Sequence, residues 1–179
     1  IGRLTQKFPG SAENGSIYNH AAAFYILALY RAGKPDHAYE LLTRMLPGPD
    51  EEDMLRRGQL PVFIPNYYRG AVDLHPRTAG RSSQLFNTGT ASWYYRILVE
   101  ELFGLKGCPE GLSIRPALPR HWQEARVSRN FRGARFNVEY KRGSEKPVIH
   151  LDGKPLDNTT VTDIQPGTDY ALEISLPAE

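Results

Sequence analysis

Residues 14–33 read NGSIYNHAAAFYILALYRAG, and the fold turns on how this stretch is understood. A polar approach carrying Gly15 meets His20, and from there to Tyr30 every position is apolar or small. A helix apolar on every side has no face to offer water, so this run predicts one buried among neighbours. Gly33 can stop it, because glycine adopts the left-handed conformation of a helix end. Pro35 can start the next, since its fixed φ suits a first turn. That next helix, PDHAYELLTRML at 35–46, puts Ala38, Leu41, Leu42, Met45 and Leu46 on one face. PGPD at 47–50 breaks it. A third helix is read in TASWYYRILVEELFG, closed by Gly104.

His20 stands where the first helix begins, and two roles are open to it. It can cap the first turn, or it can hold an anion there, where N–H groups are unpaired and the helix dipole is positive. NTGTASW at 87–93 poses the same question. Thr88 and Thr90 flank Gly89; their hydroxyls can donate to an oxyanion, and the glycine lets a ligand approach the backbone. N-capping is the plainer role for a threonine at a helix start.

The stretch 60–89 is long, irregular and rich in Pro, Gly, Asn and Tyr. A loop of that length in a compact domain is functional or disordered, and Phe63, Tyr67 and Tyr68 argue against disorder. Within it, PNYYRG offers Asn66, Tyr67, Tyr68 and Arg69, residue types that suit a sugar site, where rings stack and hydroxyls need partners. Packing of the loop on the helices explains the same residues equally well. Near the start, Arg3 and Lys7 are four apart and share a face if the segment is helical. Two cations on one face repel unless an anion lies between them; a solvated surface pair is the plainer reading.

From about residue 109 the pattern is that of strands. ARVSRNF and ARFNVEYKR alternate around an Arg-Gly turn and predict a hairpin. KPVIHLDGKPL carries an Asp-Gly turn signal, and DYALEISLP reads as a last strand. Pro116 and Pro119 read as a rigid connection between the halves. The order predicts an α+β chain, helices first and an antiparallel sheet packed as a second layer. Two or three buried helices do not make a helical domain, so further helices are expected from an upstream segment or another chain.

Composition excludes several classes. With 40% hydrophobic residues among 179, the chain can build a core. A formal charge of +2, from 22 basic and 20 acidic residues, gives no argument for nucleic acid or an anionic membrane. Cys108 is the sole cysteine, so no internal disulfide forms, which fits a reducing cytoplasm. No run reaches the roughly 18 apolar residues of a membrane span. The first residues lack a secretion signal and an initiator Met, so a fragment or processed piece is expected. A phosphate loop and a dinucleotide fingerprint are both missing. The five histidines lack paired metal-ligand spacing, so no metal site is read from them. GRSSQ at 80–84 is not a nucleophile elbow, and PDEED at 49–53 reads as a solvated turn.

Taken together, ENGSIYNHAAAF, PNYYRG, NTGTASWYYR, ELFGLKGCPEGLSIRPALPRHW and RNFRGARFNVEY resemble the C-terminal part of glycoside hydrolase family 94, the inverting disaccharide phosphorylases. The resemblance runs over essentially the whole chain. It implies the last helices of an (α/α)6 barrel over 1–108 and a C-terminal β-sandwich over 109–179. It implies that His20 and Thr90 hold the phosphate and that Asn66, in a longer loop, lies near the acceptor sugar. Arg3 and Lys7 match positions where the branch acting on cellobionic acid grips a gluconate carboxylate, as the chemistry of two cations requires. The general-acid Asp and a phosphate-binding Arg of the family lie upstream of anything in this chain. The expected reaction is phosphorolysis of 4-O-β-D-glucosyl-D-gluconate to α-D-glucose 1-phosphate and gluconate. Inorganic phosphate is the co-substrate, the complete enzyme is a homodimer, and this chain alone is inactive. A cellobiose- or chitobiose-type phosphorylase is the near alternative. A non-catalytic carbohydrate-binding or subunit-interaction piece, or an inverting hydrolase on the same barrel, are the distant ones.

Overall fold

A computed structural model describes residues 2–46, 48, 52, 55, 57, 64–83 and 89–178. The chain is α+β and divides into two compact units, Ile1–Ile97 and Leu98–Glu179. Among the residues singled out above, Phe63, Thr88, Gln84 and most of PGPD and PDEED lie outside the described set.

The first unit opens with a single 3-10 turn, Gly2–Gln6. A looped segment then leads into strand β1 (Ile17–Tyr18) and directly into helix α1 (Asn19–Arg31). The end of α1 follows the expected chemistry. Gly33 has φ 69°, its N–H bonds to Tyr30 C=O at 3.0 Å, and Lys34 N–H bonds to Leu29 C=O at 3.0 Å. That pair of bonds is a Schellman stop, available because glycine pays no Cβ penalty at positive φ. Helix α2 (Pro35–Arg44) begins on Pro35 and turns Ala38 and Leu42 inward. Helix α3 (Thr90–Arg96) packs on α1, and its Tyr94 hydroxyl donates to Leu42 C=O of α2 at 2.7 Å. Burial raises the Tyr94 phenol pKa beyond its ordinary range.

Helix α1 buries Ala23, Ile26, Leu29 and Tyr30, yet Phe24 and Tyr25 are 47% and 56% exposed. Beside it runs a groove of about 530 Å³ whose apolar lining includes Ile17, Ala22, Tyr25, Ile26, Leu41 and Met45. The described neighbours cover one side of a helix whose composition calls for cover on the other as well.

Two short strands complete the first unit: β2 (Tyr67–Tyr68), between β1 and β3 (Ser82–Ser83), pairs antiparallel with both. The Tyr-rich segment is therefore ordered. Tyr67 and Tyr68 are buried, and Tyr68 donates its hydroxyl to Met45 C=O at 2.7 Å.

The second unit starts in a π-helical turn, Ile97–Leu102, where Phe103 N–H reaches back five residues to Leu98 C=O at 3.0 Å. The third predicted helix thus ends in a wider turn before Gly104 (φ 66°), whose lack of a Cβ admits the Arg115 carbonyl. Strands β4 (Leu105–Gly107) and β5 (Leu112–Ile114) form a small antiparallel sheet with β10 (Thr160–Val161). Strands β6 (Glu124–Phe131) and β7 (Ala134–Ser144) form the predicted hairpin, with Arg132 and Gly133 at φ 49° and 79°. Positive φ at both central positions is the tight hairpin turn that matches strand twist. Asp152 and Gly153, at φ 50° and 75°, join β8 (Val148–Leu151) to β9 (Lys154–Pro155) in the same way.

The larger sheet is ordered β6-β7-β11-β8-β9 and is mixed, not purely antiparallel. Strand β11 (Asp169–Pro177) runs parallel to β7, with Tyr170, Leu172 and Ile174 opposite Phe136, Val138 and Tyr140. The reason is topological: after β7 the chain forms β8, β9 and β10, then returns to β7 from the same end. Inward-facing residues alternate with period two in either direction, so the sequence pattern carries no sign of it. Pro116 and Pro119 lie inside this unit. Arg142 holds that segment, donating to Leu118 C=O and Trp122 C=O at 3.0 Å and to Pro177 C=O at 3.2 Å.

Candidate functional site

His20 occupies the second position of α1, after Asn19. The residue preceding the helix is Tyr18, and no side chain caps it. At α3 the preceding residue is Gly89, again without a side-chain cap, and Thr90 is the first helical residue, 2% exposed. Capping is therefore the role of neither His20 nor Thr90.

The two helix starts meet. A Cβ placed on Gly89 would lie 3.2 Å from His20 Nε2, 3.4 Å from His20 Cε1 and 3.2 Å from Trp93 Cδ1. The imidazole thus lies against the glycine just before Thr90. His20 Nε2 is buried and has no hydrogen-bond partner among the described residues, while Nδ1 faces the Tyr18 hydroxyl at 3.5 Å. A buried ring nitrogen left unpaired costs free energy unless something occupies it. The ring is held by aromatic neighbours: Phe24 at 5.1 Å between centroids, with Trp93 edge-on to Phe24 at 4.8 Å. A ligand at Nε2 would meet a nitrogen able to donate, a helix start, and a glycine that leaves the backbone open.

Asn66 is buried, and its backbone is tied to this helix start. Asn19 N–H donates to Asn66 C=O at 3.0 Å, and Asn19 Nδ2 donates to Pro65 C=O at 3.0 Å. The wholly buried Asn19 is thus the clamp that holds the Tyr-rich strand to the first turn of α1. Sequence does not single it out, because an asparagine beside a candidate ligand histidine draws no notice until its partner 46 residues away is known.

Arg3 and Lys7 belong to the opening segment. Arg3 is exposed on the 3-10 turn and Lys7 is one residue past its end. A 3-10 turn repeats every three residues, so a spacing of four does not stack the two side chains as an α-helix would. Instead Lys7 Nζ forms an ion pair with Glu13, and Asn14 Nδ2 donates to Lys7 C=O at 2.8 Å. The hydrogen bond from Lys7 holds the Glu13 carboxyl below the usual carboxylate range. Sequence offers no pointer to Glu13, since a loop has no periodicity to bring residues six apart together.

Among the described residues no cluster of three His, Cys, Asp or Glu is placed to hold a metal ion, and no helix is long and apolar enough to cross a membrane.

Comparison with known proteins gives this geometry a context. The Glycosyl hydrolase 94 superfamily catalytic domain matches residues 1–104. The chain is 55% identical over 179 residues to the cellobionic acid phosphorylase of Neurospora crassa, covering 99% of this chain and 23% of that protein. It is 36% identical over 159 residues to a 3-O-beta-D-glucopyranosyl-beta-D-glucuronide phosphorylase of Paenibacillus borealis, covering 86% of this chain and 20% of that protein. It is 26% identical over 180 residues to an N,N'-diacetylchitobiose phosphorylase of Vibrio proteolyticus, covering 98% of this chain and 22% of that protein. The chain spans less than a quarter of the length of each of these relatives.

Proposed function

The chain belongs to the glycosyl hydrolase 94 superfamily, and from that membership we propose that it is part of an inverting glycoside phosphorylase acting on cellobionic acid. Residues 1–108 contribute the last helices of an (α/α)6 barrel, and 109–179 form a C-terminal β-sandwich domain. The open flank of α1, with Phe24 and Tyr25 exposed, supports the barrel reading: helices from the remainder of the enzyme have an apolar face to cover.

The observation that carries the proposal is the His20–Gly89 contact beside Thr90. An unpartnered, buried Nε2 at the junction of two helix starts is suited to an oxyanion. In this reading His20 and Thr90 donate to inorganic phosphate, together with an upstream arginine. An upstream aspartic acid protonates the glycosidic oxygen as the bond to the anomeric carbon breaks. A phosphate oxygen forms the new bond from the opposite face, giving α-D-glucose 1-phosphate and gluconate. Phosphate is already an anionic nucleophile, so no protein base need activate it; the donors keep it in line and offset its charge. No metal or organic cofactor takes part. The complete enzyme works as a homodimer in the cytoplasm, and the present chain alone does not turn over substrate.

Arg3 and Lys7 are assigned to the gluconate carboxylate, and Asn66 to the acceptor side. Support comes from chemistry and from relatives: two of them are named for acidic sugars, a cellobionic acid and a glucuronide. Arg3 and the two Lys7 ammonium donors left beyond Glu13 can each donate a charge-assisted hydrogen bond to an acceptor carboxylate. The test is substitution of Arg3→Ala and Lys7→Ala in the complete enzyme. Each is expected to raise KM for cellobionic acid by about ten-fold or more, the value of a charge-assisted hydrogen bond. Unaltered turnover of cellobionic acid by both variants would remove the acceptor assignment. The near alternative, a cellobiose- or chitobiose-type acceptor, would then be preferred.

A further inference from the structure

Glu13 has no place in the mechanism above, yet it touches one of the residues the mechanism uses. We propose that Glu13 is a positioning and specificity-determining residue for an anionic acceptor, holding the Lys7 ammonium where the acceptor carboxylate is received; this rests on the assignment of Lys7 to that carboxylate.

Lys7 by itself is poorly fixed. It follows a single 3-10 turn, it is 37% exposed, and a lysine side chain carries about 2 kcal/mol of rotamer entropy. The loop that follows supplies the hold. Glu13 accepts from Nζ, and the next residue, Asn14, donates to the main-chain carbonyl of Lys7 at 2.8 Å. Consecutive residues thus grip the side chain and the backbone of the same lysine.

The gripping loop is itself anchored. Gly10 N–H bonds to Asn14 C=O at 2.7 Å, Asn14 N–H to Ser11 C=O at 3.0 Å, and Ser11 Oγ to Phe8 C=O at 2.7 Å. Gly70 N–H bonds to Gly10 C=O at 2.9 Å. Backbones approach so closely there that a Cβ on Gly70 would fall 2.1 Å from Gly15 C=O, and one on Gly10 would fall 2.6 Å from Gly70 C=O. Gly70 follows β2 by two residues, β2 pairs with β1, and β1 runs into Asn19 and His20. The Lys7 backbone is tied through Asn14 to the frame that sets His20, and Glu13 ties the Lys7 ammonium to that same loop.

Charge points the same way. Arg3, Lys7 and Glu13 sum to one positive charge, which one carboxylate neutralises. Nζ has three donors; Glu13 takes one and two remain for an acceptor. With Glu13 62% exposed, the pair adds little to stability, so its value lies in geometry.

The test uses the complete enzyme and the variants Glu13→Gln, Glu13→Asp and Lys7→Ala. Glu13→Gln is expected to raise KM for cellobionic acid about ten-fold while kcat and KM for phosphate stay within about two-fold. Glu13→Asp, which keeps the charge, should recover most of that loss. The inference is overturned if Glu13→Gln leaves KM for cellobionic acid unchanged or lowers it while Lys7→Ala raises it; Glu13 would then be a bystander or a competitor of the acceptor. It is overturned as well if Glu13→Gln degrades kcat and KM for phosphate as much as KM for cellobionic acid; Glu13 would then support the site as a whole and not the acceptor. If Lys7→Ala itself leaves KM for cellobionic acid unchanged, the acceptor assignment fails and takes the inference with it.

Discussion

His20 and Gly89 meet across nearly 70 residues of sequence, and the contact gives each a separate test. His20→Ala removes the unpartnered donor. It is expected to raise KM for phosphate by about ten- to a hundred-fold, the range for a hydrogen bond to a charged group. Gly89 has φ −70°, a conformation any residue adopts, so alanine there does not strain the backbone. Its methyl would instead press on His20 Nε2 and Trp93 at 3.2 Å. Gly89→Ala should therefore weaken phosphate binding with little change in melting temperature, measured by thermal denaturation and phosphate-dependent kinetics. An equal loss of stability in both variants would mean that the contact serves packing alone. The residue types on either side mark both positions as helix starts in the sequence alone. The packing of the imidazole on the glycine is not legible there, because nothing local relates residue 20 to residue 89. Lys7 is legible as a cation and illegible as half of an ion pair for the same reason.

Elements are legible in proportion to how far local chemistry dictates them. The Schellman stop at Gly33, the start of α2 at Pro35 and the hairpin turns closed by Gly133 and Gly153 follow from the φ preferences of glycine and proline. Three features leave no such trace. The 3-10 turn at Gly2–Gln6 is too short to carry a period. The π turn at Ile97–Leu102 has the same composition as an α-helix. The parallel pairing of β11 with β7 leaves the alternation of buried residues unchanged. The clamp between α1 and β2 yields a prediction at this scale. Asn19→Ala would leave the buried Pro65 carbonyl without its donor, at a cost of about 1–3 kcal/mol of stability. Because the clamp sets the first turn of α1, the same variant should also raise KM for phosphate, which comparison of its melting temperature and kinetics with those of His20→Ala will reveal. A stable Asn19→Ala enzyme with unaltered phosphate KM would show that β1–β2 pairing alone fixes the helix start.

For the molecule as a whole, the α1 flank and the chain's share of its relatives' length make the same point. An apolar helix exposing Phe24 and Tyr25 needs cover, and the chain spans 23% of its Neurospora crassa relative. The proposed site has the same character: the residues assigned to phosphate and to the acceptor carboxylate are here, while the proton donor is assigned to the upstream part. In the proposed reaction the complete enzyme transfers glucose from cellobionic acid to phosphate. The direct measurement is the initial rate of glucose 1-phosphate formation from cellobionic acid, with and without inorganic phosphate, beside cellobiose at the same concentration. Phosphate-dependent formation of glucose 1-phosphate and gluconate is expected, with cellobionic acid strongly preferred. Release of free glucose without phosphate, or an equal rate on cellobiose, would contradict it.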